Sequence, residues 1–213
     1  MGPPTGEPPP RFSVKDADAI AELPVAAHVA PMANTSQTVV AGNANAATQI
    51  YGTNADYLAV QNWPLALGRN FSDAEVQAGS AVCVLGETVR AKLFGASDPV
   101  GQSLRVKSVS CDVIGVLAAK GAGSFGQDQD DVLLMPFKTV QRLLKGNQDV
   151  DSIAVGLSQS ASSEEGIRVI SSLLRERRRV GVTQADNFSV TDMKEISSML
   201  SGVNSVLTGL LSS

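Results

Sequence analysis

Glycines and carboxylates that could bind a ligand are concentrated between positions 121 and 131. Residues 121–126 match the spacing G-x-G-x-x-G, and a predicted strand precedes them. In dinucleotide-binding proteins this loop leads into a helix whose N-terminus holds a pyrophosphate. Here Asp128, Asp130 and Asp131 follow, and then a second predicted strand, so three carboxylates would repel a pyrophosphate. The pattern therefore predicts a flexible loop, and no nucleotide cofactor.

The same three aspartates offer the hard oxygen ligands that calcium prefers. The sequence around them lacks the sixth-position glycine and the closing glutamate of a helix–loop–helix calcium site. We therefore interpret them as a solvated acidic turn, and no metal site is predicted.

The two cysteines and the single histidine are the remaining reactive side chains. His28 has no nucleophile motif and no ligand at metal spacing near it, which favours a structural role. Cys83 and Cys111 both fall in predicted strands. If these strands are neighbours and the compartment is oxidising, the two residues could form a disulfide. In a reducing compartment they would be two small buried hydrophobic residues, and the sequence leaves both interpretations open.

Composition excludes several classes of protein. A chain of 213 residues can bury a substantial core, and its net charge of −4 argues against binding nucleic acid. Two cysteines are too few for a disulfide-rich scaffold or a four-cysteine zinc site. No run of about eighteen apolar residues occurs, so the sequence predicts no complete membrane span.

The middle of the chain contains frequent turn and capping residues, which predict short helices and strands. Ser72 and Glu75 form a capping-box pattern, with Gly79 at the end of that helix. The further predictions are a buried strand over 81–85, a helix over 87–94, a strand pair over 104–106 and 111–117, a strand over 132–135 and a helix over 138–144.

The two ends of the chain carry their own signals. Ser13 and Asp16 predict a capped helix that Pro24 stops, and Gly42-Asn43 predicts a hairpin with a loose turn. After position 151 the pattern predicts a strand–helix–strand unit: a strand over 153–157, a helix to about 178 with a Ser162–Glu165 capping box, and a strand over 188–190. An apolar helix over 195–213 is expected either to pack on the core or to lead into a truncated membrane span.

An ordered set of motifs extends over most of the chain. Leu67-Gly68-Arg69 is followed by Val84-Leu85-Gly86-Glu87-Thr88-Val89, then Asp98-Pro99-Val100-Gly101-Gln102, then Val113-Ile114-Gly115-Val116-Leu117. In this order the motifs resemble the extracytoplasmic core domain of MacB-type ABC-transporter permeases, which belong to the FtsX-like superfamily.

This resemblance implies an α+β fold of two subdomains. Residues 12–64 plus 150–194 would form a porter-like subdomain that contains the βαβ unit. Residues 65–149 would form an inserted sabre-like α+β subdomain. Residues 1–11 are expected to be a flexible leader or an expression scar, and 195–213 to be a helix toward a membrane span.

The resemblance also implies a mechanical function without catalysis. The domain would lie on the periplasmic side of an inner-membrane permease, bind a periplasmic adaptor or substrate, and relay ATP-driven motion; the ATPase would be elsewhere in the parent protein. Its partners would be the adaptor, an outer-membrane channel and a second copy of the permease. Related permeases release lipoproteins or activate cell-wall hydrolases, which is the alternative within this class.

Candidate contact residues lie in the loop that the resemblance places at the tip of the inserted subdomain. They are Gly121, Gly123, Ser124, Phe125, Asp128, Asp130 and Asp131. A small α/β hydrolytic enzyme is the hypothesis from another class, although the sequence offers it no nucleophile motif and no set of histidines.

Overall fold

Short helices alternate with strands in the computed structural model, which describes residues 8–123 and 125–194. The mixed α+β class predicted from the sequence is confirmed. The helices are α1 Val14–Ala21, α2 Tyr57–Val60, α3 Asp73–Ala78, α4 Glu87–Phe94, α5 Phe137–Thr139, which continues into a π-helical turn Val140–Lys145, and α6 Ser163–Arg177. The strands are β1 Ala26–Ala41, β2 Ala44–Thr53, β3 Leu65–Gly68, β4 Val82–Leu85, β5 Ser103–Val106, β6 Val109–Leu117, β7 Val132–Pro136 and β8 Ser152–Leu157.

Six of these strands close into a barrel. Their pairing order is β1–β2–β7–β4–β6–β5, and β5 returns to β1 through Val39 and Val40. The β2–β7 and β4–β6 pairs are parallel, and the other pairs in the ring are antiparallel. Alternate residues of the strands share one buried cluster because successive side chains of a strand point to opposite faces; among them are Cys83 and Leu85 of β4 and Leu133 of β7.

A second cluster covers one outer face of the barrel. Trp63 and Phe71 pack there against Val84 and Leu134, whose neighbours along each strand face the barrel interior. The Trp63 indole N–H donates a 2.7 Å hydrogen bond to the Ala118 carbonyl oxygen. The single tryptophan is therefore a core residue with a satisfied polar end.

A layer of helices packs beside the barrel on the first half of β1. Strand β1 pairs with β8 from Ala26 to Met32 and with β2 from Ala33 to Ala41. Helices α1 and α6 cover the β1–β8 pair through Ile20, Ile170 and Leu174. We call α1, α6, β8 and this half of β1 the helical layer. Strand β1, with 16 residues, is therefore part of both the barrel and the helical layer.

Two of the predicted helix caps are present in full. Asp16 N–H donates to Ser13 Oγ at 3.2 Å, and Ser13 N–H donates to the Asp16 carboxylate at 2.9 Å. The Ser72–Glu75 pair forms the same reciprocal box, and Gly79 ends α3 with a left-handed φ of 64°. At Ser162 only the bond from Glu165 N–H is present, so the predicted second half of that box is missing.

One other local prediction was wrong, and two predicted elements are present but differ in detail. Residues 188–190 form no strand; Phe188 and Val190 instead pack on the apolar cluster of the helical layer. The predicted helix over 138–144 begins at Phe137 and becomes π-helical. The hairpin turn is tight: Gly42-Asn43 alone connects Ala41 to its partner Ala44.

Strand pairing crosses the predicted boundary between the two subdomains. Strands β1 and β2 lie before residue 65, yet they pair with β5 and β7. The division into 12–64 plus 150–194 and 65–149 stays a prediction. Arg11, the last residue of the predicted leader, pairs with Asp151 at 2.9 Å. Most of that leader and the predicted helix over 195–213 lie outside the described residues.

Candidate partner-contact site

The predicted contact residues lie in the segment 118–131, which connects β6 to β7 and is called the contact loop below. Its base is attached to the segment before β3. Ala118 N–H donates to the Pro64 carbonyl at 2.9 Å, and the Lys120 ammonium lies 4.2 Å from the centre of the Trp63 ring. Burial lowers the pKa of Lys120, while the nearby Asp130 carboxylate opposes this shift.

Asp130 is a structural residue of this loop. Its side chain is only 5% exposed, and its two oxygens accept the backbone N–H groups of Lys120 at 2.8 Å and Gly121 at 2.9 Å. A buried carboxylate engaged in this way stabilises the turn and is not free to contact a partner. Sequence reasoning could not distinguish it from the neighbouring aspartates.

Asp128 and Asp131 attach the loop to helix α4. The Thr88 hydroxyl donates to Asp128 at 2.5 Å, and this bond, followed by the one from Asp130 N–H, holds the pKa of Asp128 below its usual value. Lys92 lies 3.9 Å from the Asp131 carboxylate. Asp128 is exposed and Asp131 is half-buried, so both leave negative charge at the surface.

The apex of the loop presents one large apolar side chain. Phe125 is 59% exposed. Gly123 N–H donates to the Gln127 carbonyl at 2.7 Å, and Gly121 and Gly126 take left-handed φ values of 80° and 75°. The glycines of the G-x-G-x-x-G pattern therefore make turns, and the loop continues into β7. Ser124 lies outside the described residues.

Chemical groups elsewhere are not gathered into a catalytic or metal centre in the part of the chain that the structure describes. No group of three or more His, Cys, Asp or Glu residues is placed to hold a metal in residues 8–123 and 125–194. An open depression beside the contact loop is lined by polar strand residues such as Ser36, Thr48 and Gln49. His28 Nδ1 lies 3.7 Å from the Asp56 carboxylate, with both side chains about half exposed.

The arginines at the end of α6 are occupied by contacts inside the chain. Arg175 makes two 2.8 Å hydrogen bonds to Asp186, and Arg177 donates to Asp16 at 2.8 Å. Arg178 lies over the ring of Phe12, 4.7 Å from its centre. These three arginines therefore fasten the end of α6 to α1, to the residue Phe12 before α1 and to the segment that follows α6.

The glycines of the motif set have steric functions. A Cβ at Gly68 would overlap the Ile114 backbone oxygen, and one at Gly115 would come within 2.6 Å of the Arg69 oxygen. The backbones of β3 and β6 thus approach too closely for any side chain. A Cβ at Gly86 would likewise overlap the backbone oxygen of Asp130, so this glycine permits the contact loop to lie against α4.

Comparison with known proteins places the chain among the periplasmic domains of MacB-like ABC-type permeases. The family described as the MacB-like periplasmic core domain matches residues 1–173. The chain belongs to this family. In residues 8–123 and 125–194 no helix is long and apolar enough to cross a membrane.

Curated relatives are export permeases. The chain is 31% identical to a macrolide export ATP-binding/permease protein MacB of Syntrophobacter fumaroxidans, over 92% of this chain and 35% of the relative. It is 36% identical to the pyoverdine export ATP-binding/permease protein PvdT of Pseudomonas entomophila, over 78% of this chain and 26% of the relative. The chain therefore spans about a third or less of the relatives' length.

Solved structures share the fold. The periplasmic region of MacB from Actinobacillus actinomycetemcomitans superposes with a TM-score of 0.76 at 22% identity, covering 90% of this chain and 84% of that one. The extracellular domain of the noncanonic ABC-type transporter YknZ from Gram-positive bacteria gives 0.71 at 19% identity, covering 88% and 92%.

Proposed function

We propose that this domain binds a periplasmic adaptor protein or an export substrate through the contact loop, and relays ATP-driven motion of the parent permease. The parent would act as a dimer, with its ATPase in another part of the protein and an outer-membrane channel beyond the adaptor. The substrate class stays open, since the named relatives export macrolides or pyoverdine.

The observation that carries the binding proposal is an exposed apolar side chain on a loop whose base is held by contacts with the rest of the domain. Contacts from Trp63, Thr88 and Lys92 hold the base of the loop, while Phe125 extends into solvent. A side chain presented from an ordered base loses little entropy on binding, and aromatic residues are enriched among those that dominate binding energy. The negative charge of Asp128 and Asp131 beside it suits a partner with a basic rim.

The relay proposal is supported by the continuity of β1. A strand of 16 residues spans about 50 Å. Its first half carries the helical layer and its second half is part of the barrel. A displacement of the helical layer would therefore reach the barrel through one continuous strand, and the contact loop through the pairing of β1 with β2 and of β2 with β7.

Adaptor binding can be tested with the chain and the adaptor protein encoded nearest to its gene. Titration calorimetry should show binding to the unaltered chain, and Phe125→Ser should weaken it by about tenfold or more, as truncation of a central aromatic residue does. Val182→Ser is the matched control, because Val182 is an exposed apolar residue outside the loop.

Two results would contradict the proposal. Unchanged affinity of Phe125→Ser would remove the contact loop from the interface. Failure of the unaltered chain to bind any adaptor or exported substrate would overturn the binding function itself.

A further inference from the structure

The barrel interior brings the two cysteines of the chain together. Cys83 lies on β4 and Cys111 on β6, which pair in parallel, with Cys83 opposite Val113. Cys111 is two residues before Val113, so its side chain points to the same face of the sheet. Both residues are fully buried in one apolar cluster, and their Sγ atoms lie 2.7 Å apart.

We infer that Cys83 and Cys111 form a disulfide when the chain folds in an oxidising compartment. The family to which the chain belongs is described as periplasmic, and disulfides form and persist in the bacterial periplasm. The bond would close a loop between residues 28 positions apart, which contains α4 and β5. It would thus link β4 directly to β6, two parallel neighbouring strands of the barrel that the chain otherwise connects through α4 and β5.

The reaction requires an oxidant, and the structure indicates when the oxidant must act. A thiolate of one cysteine attacks the disulfide of a thiol–disulfide oxidoreductase and releases one enzyme thiol. The second cysteine thiolate then displaces the enzyme from the mixed disulfide. Two protons and two electrons leave the pair, and the enzyme gains them as two thiols.

Burial of the pair restricts this exchange to the period before the barrel closes. Neither cysteine is accessible in the folded chain, and burial, reinforced by the neighbouring Cys111, raises the pKa of the Cys83 thiol well above its usual value. The reactive thiolate is therefore scarce in the native state, and an oxidising enzyme cannot reach it. A chain that folded with free thiols should keep them.

Thiol trapping after unfolding tests the inference. The 213-residue chain is expressed with and without an export signal, unfolded in guanidinium with a maleimide, and weighed by mass spectrometry. We expect the exported protein to take up no maleimide until it has been reduced, and then to take up two, while the cytosolic protein takes up two directly. Two free thiols in the exported protein would overturn the inference.

Thermal unfolding provides a second measurement, which does not depend on the reaction of the thiols with a maleimide. The exported chain should melt roughly 5–15 °C above the cytosolic one, because the crosslink restricts the unfolded chain. Cys83→Ala/Cys111→Ala should abolish the difference between the two preparations. Equal melting temperatures of the two unaltered preparations would contradict the bond. Loss of adaptor binding by Phe125→Ser bears on the proposed function alone and leaves this result unaffected.

Discussion

The barrel and the helical layer beside it are stabilised by different interactions. The barrel encloses a large apolar cluster that includes Leu85, Leu133 and Met135, each of which is fully buried. The helical layer has a small apolar cluster and adds ion pairs such as Arg177–Asp16 at 2.8 Å. We expect the barrel to set the overall stability, and the helical layer to respond to charge and pH.

Truncating a buried side chain of the barrel should have the largest effect on stability. Leu133→Ala should lower the free energy of unfolding by about 3–4 kcal/mol, because it removes a fully buried side chain and leaves a cavity. Urea denaturation followed by circular dichroism measures this loss. Leu143→Ala is the control: Leu143 is 40% exposed, and its truncation should cost less than about 1 kcal/mol. Equal losses at the two positions would contradict the barrel's dominant contribution.

The ion pair between α1 and α6 should have an intermediate effect. Asp16→Ala should destabilise the chain by about 1–3 kcal/mol, since it removes the Arg177 contact and the carboxylate that accepts the Ser13 N–H in the capping box. A double-mutant cycle with Arg177→Ala should give a coupling of about 1 kcal/mol.

The Arg175–Asp186 pair offers a matched comparison for that cycle. Its side chains are 50% and 29% exposed, against 33% and 11% for Arg177 and Asp16. Its coupling should therefore be weaker than that of Arg177 with Asp16. A larger coupling at Arg175–Asp186 than at Arg177–Asp16 would show that burial does not determine the strength of these pairs.

Acid should weaken the contacts of Asp151, which lie where the helical layer meets the barrel. The loss of stability should be smaller than in the two preceding cases. Burial alone would raise the pKa of Asp151, but hydrogen bonds from Lys145 and Asn34 N–H outweigh it, so the pKa lies below its usual value. A depressed folded-state pKa stabilises the protein above the unfolded-state pKa of about 3.9, and this contribution is lost as the pH falls through the folded value.

Denaturation midpoints at pH 7 and pH 3 measure this contribution. Asp151→Asn should make the decrease in stability between these pH values smaller by on the order of 1 kcal/mol, because the variant has no carboxylate to protonate. Asp149→Asn, at a neighbouring half-buried position, serves as the control and should leave the decrease unchanged. An identical decrease in Asp151→Asn and the unaltered chain would show that Asp151 does not contribute.

Local signals in the sequence predicted local structure well. Ser13 and Ser72 each have a carboxylate three positions on, and both form the reciprocal cap in the structure. The apolar run over 81–85, bounded by glycines, predicted β4 because such a run is too short for a helix.

Long-range features of the fold could not be predicted in the same way. The polar residues 34–37 gave no strand signal, yet they belong to β1 because β2 pairs with them along their length. Ring closure depends on the parallel β2–β7 pair, whose strands are far apart in sequence. The same limit applies to the candidate site: nothing in the run from Asp128 to Asp131 distinguishes the buried Asp130 from its exposed neighbour Asp128.

The long strand β1 has a mechanical consequence. Its backbone hydrogen bonds to β2 and β8 are antiparallel, so they lie across the strand axis. A pull along that axis loads many of these bonds together in shear, whereas a pull across it would unzip them one at a time. The strand can therefore transmit tension without fraying, provided that the force arrives along its length.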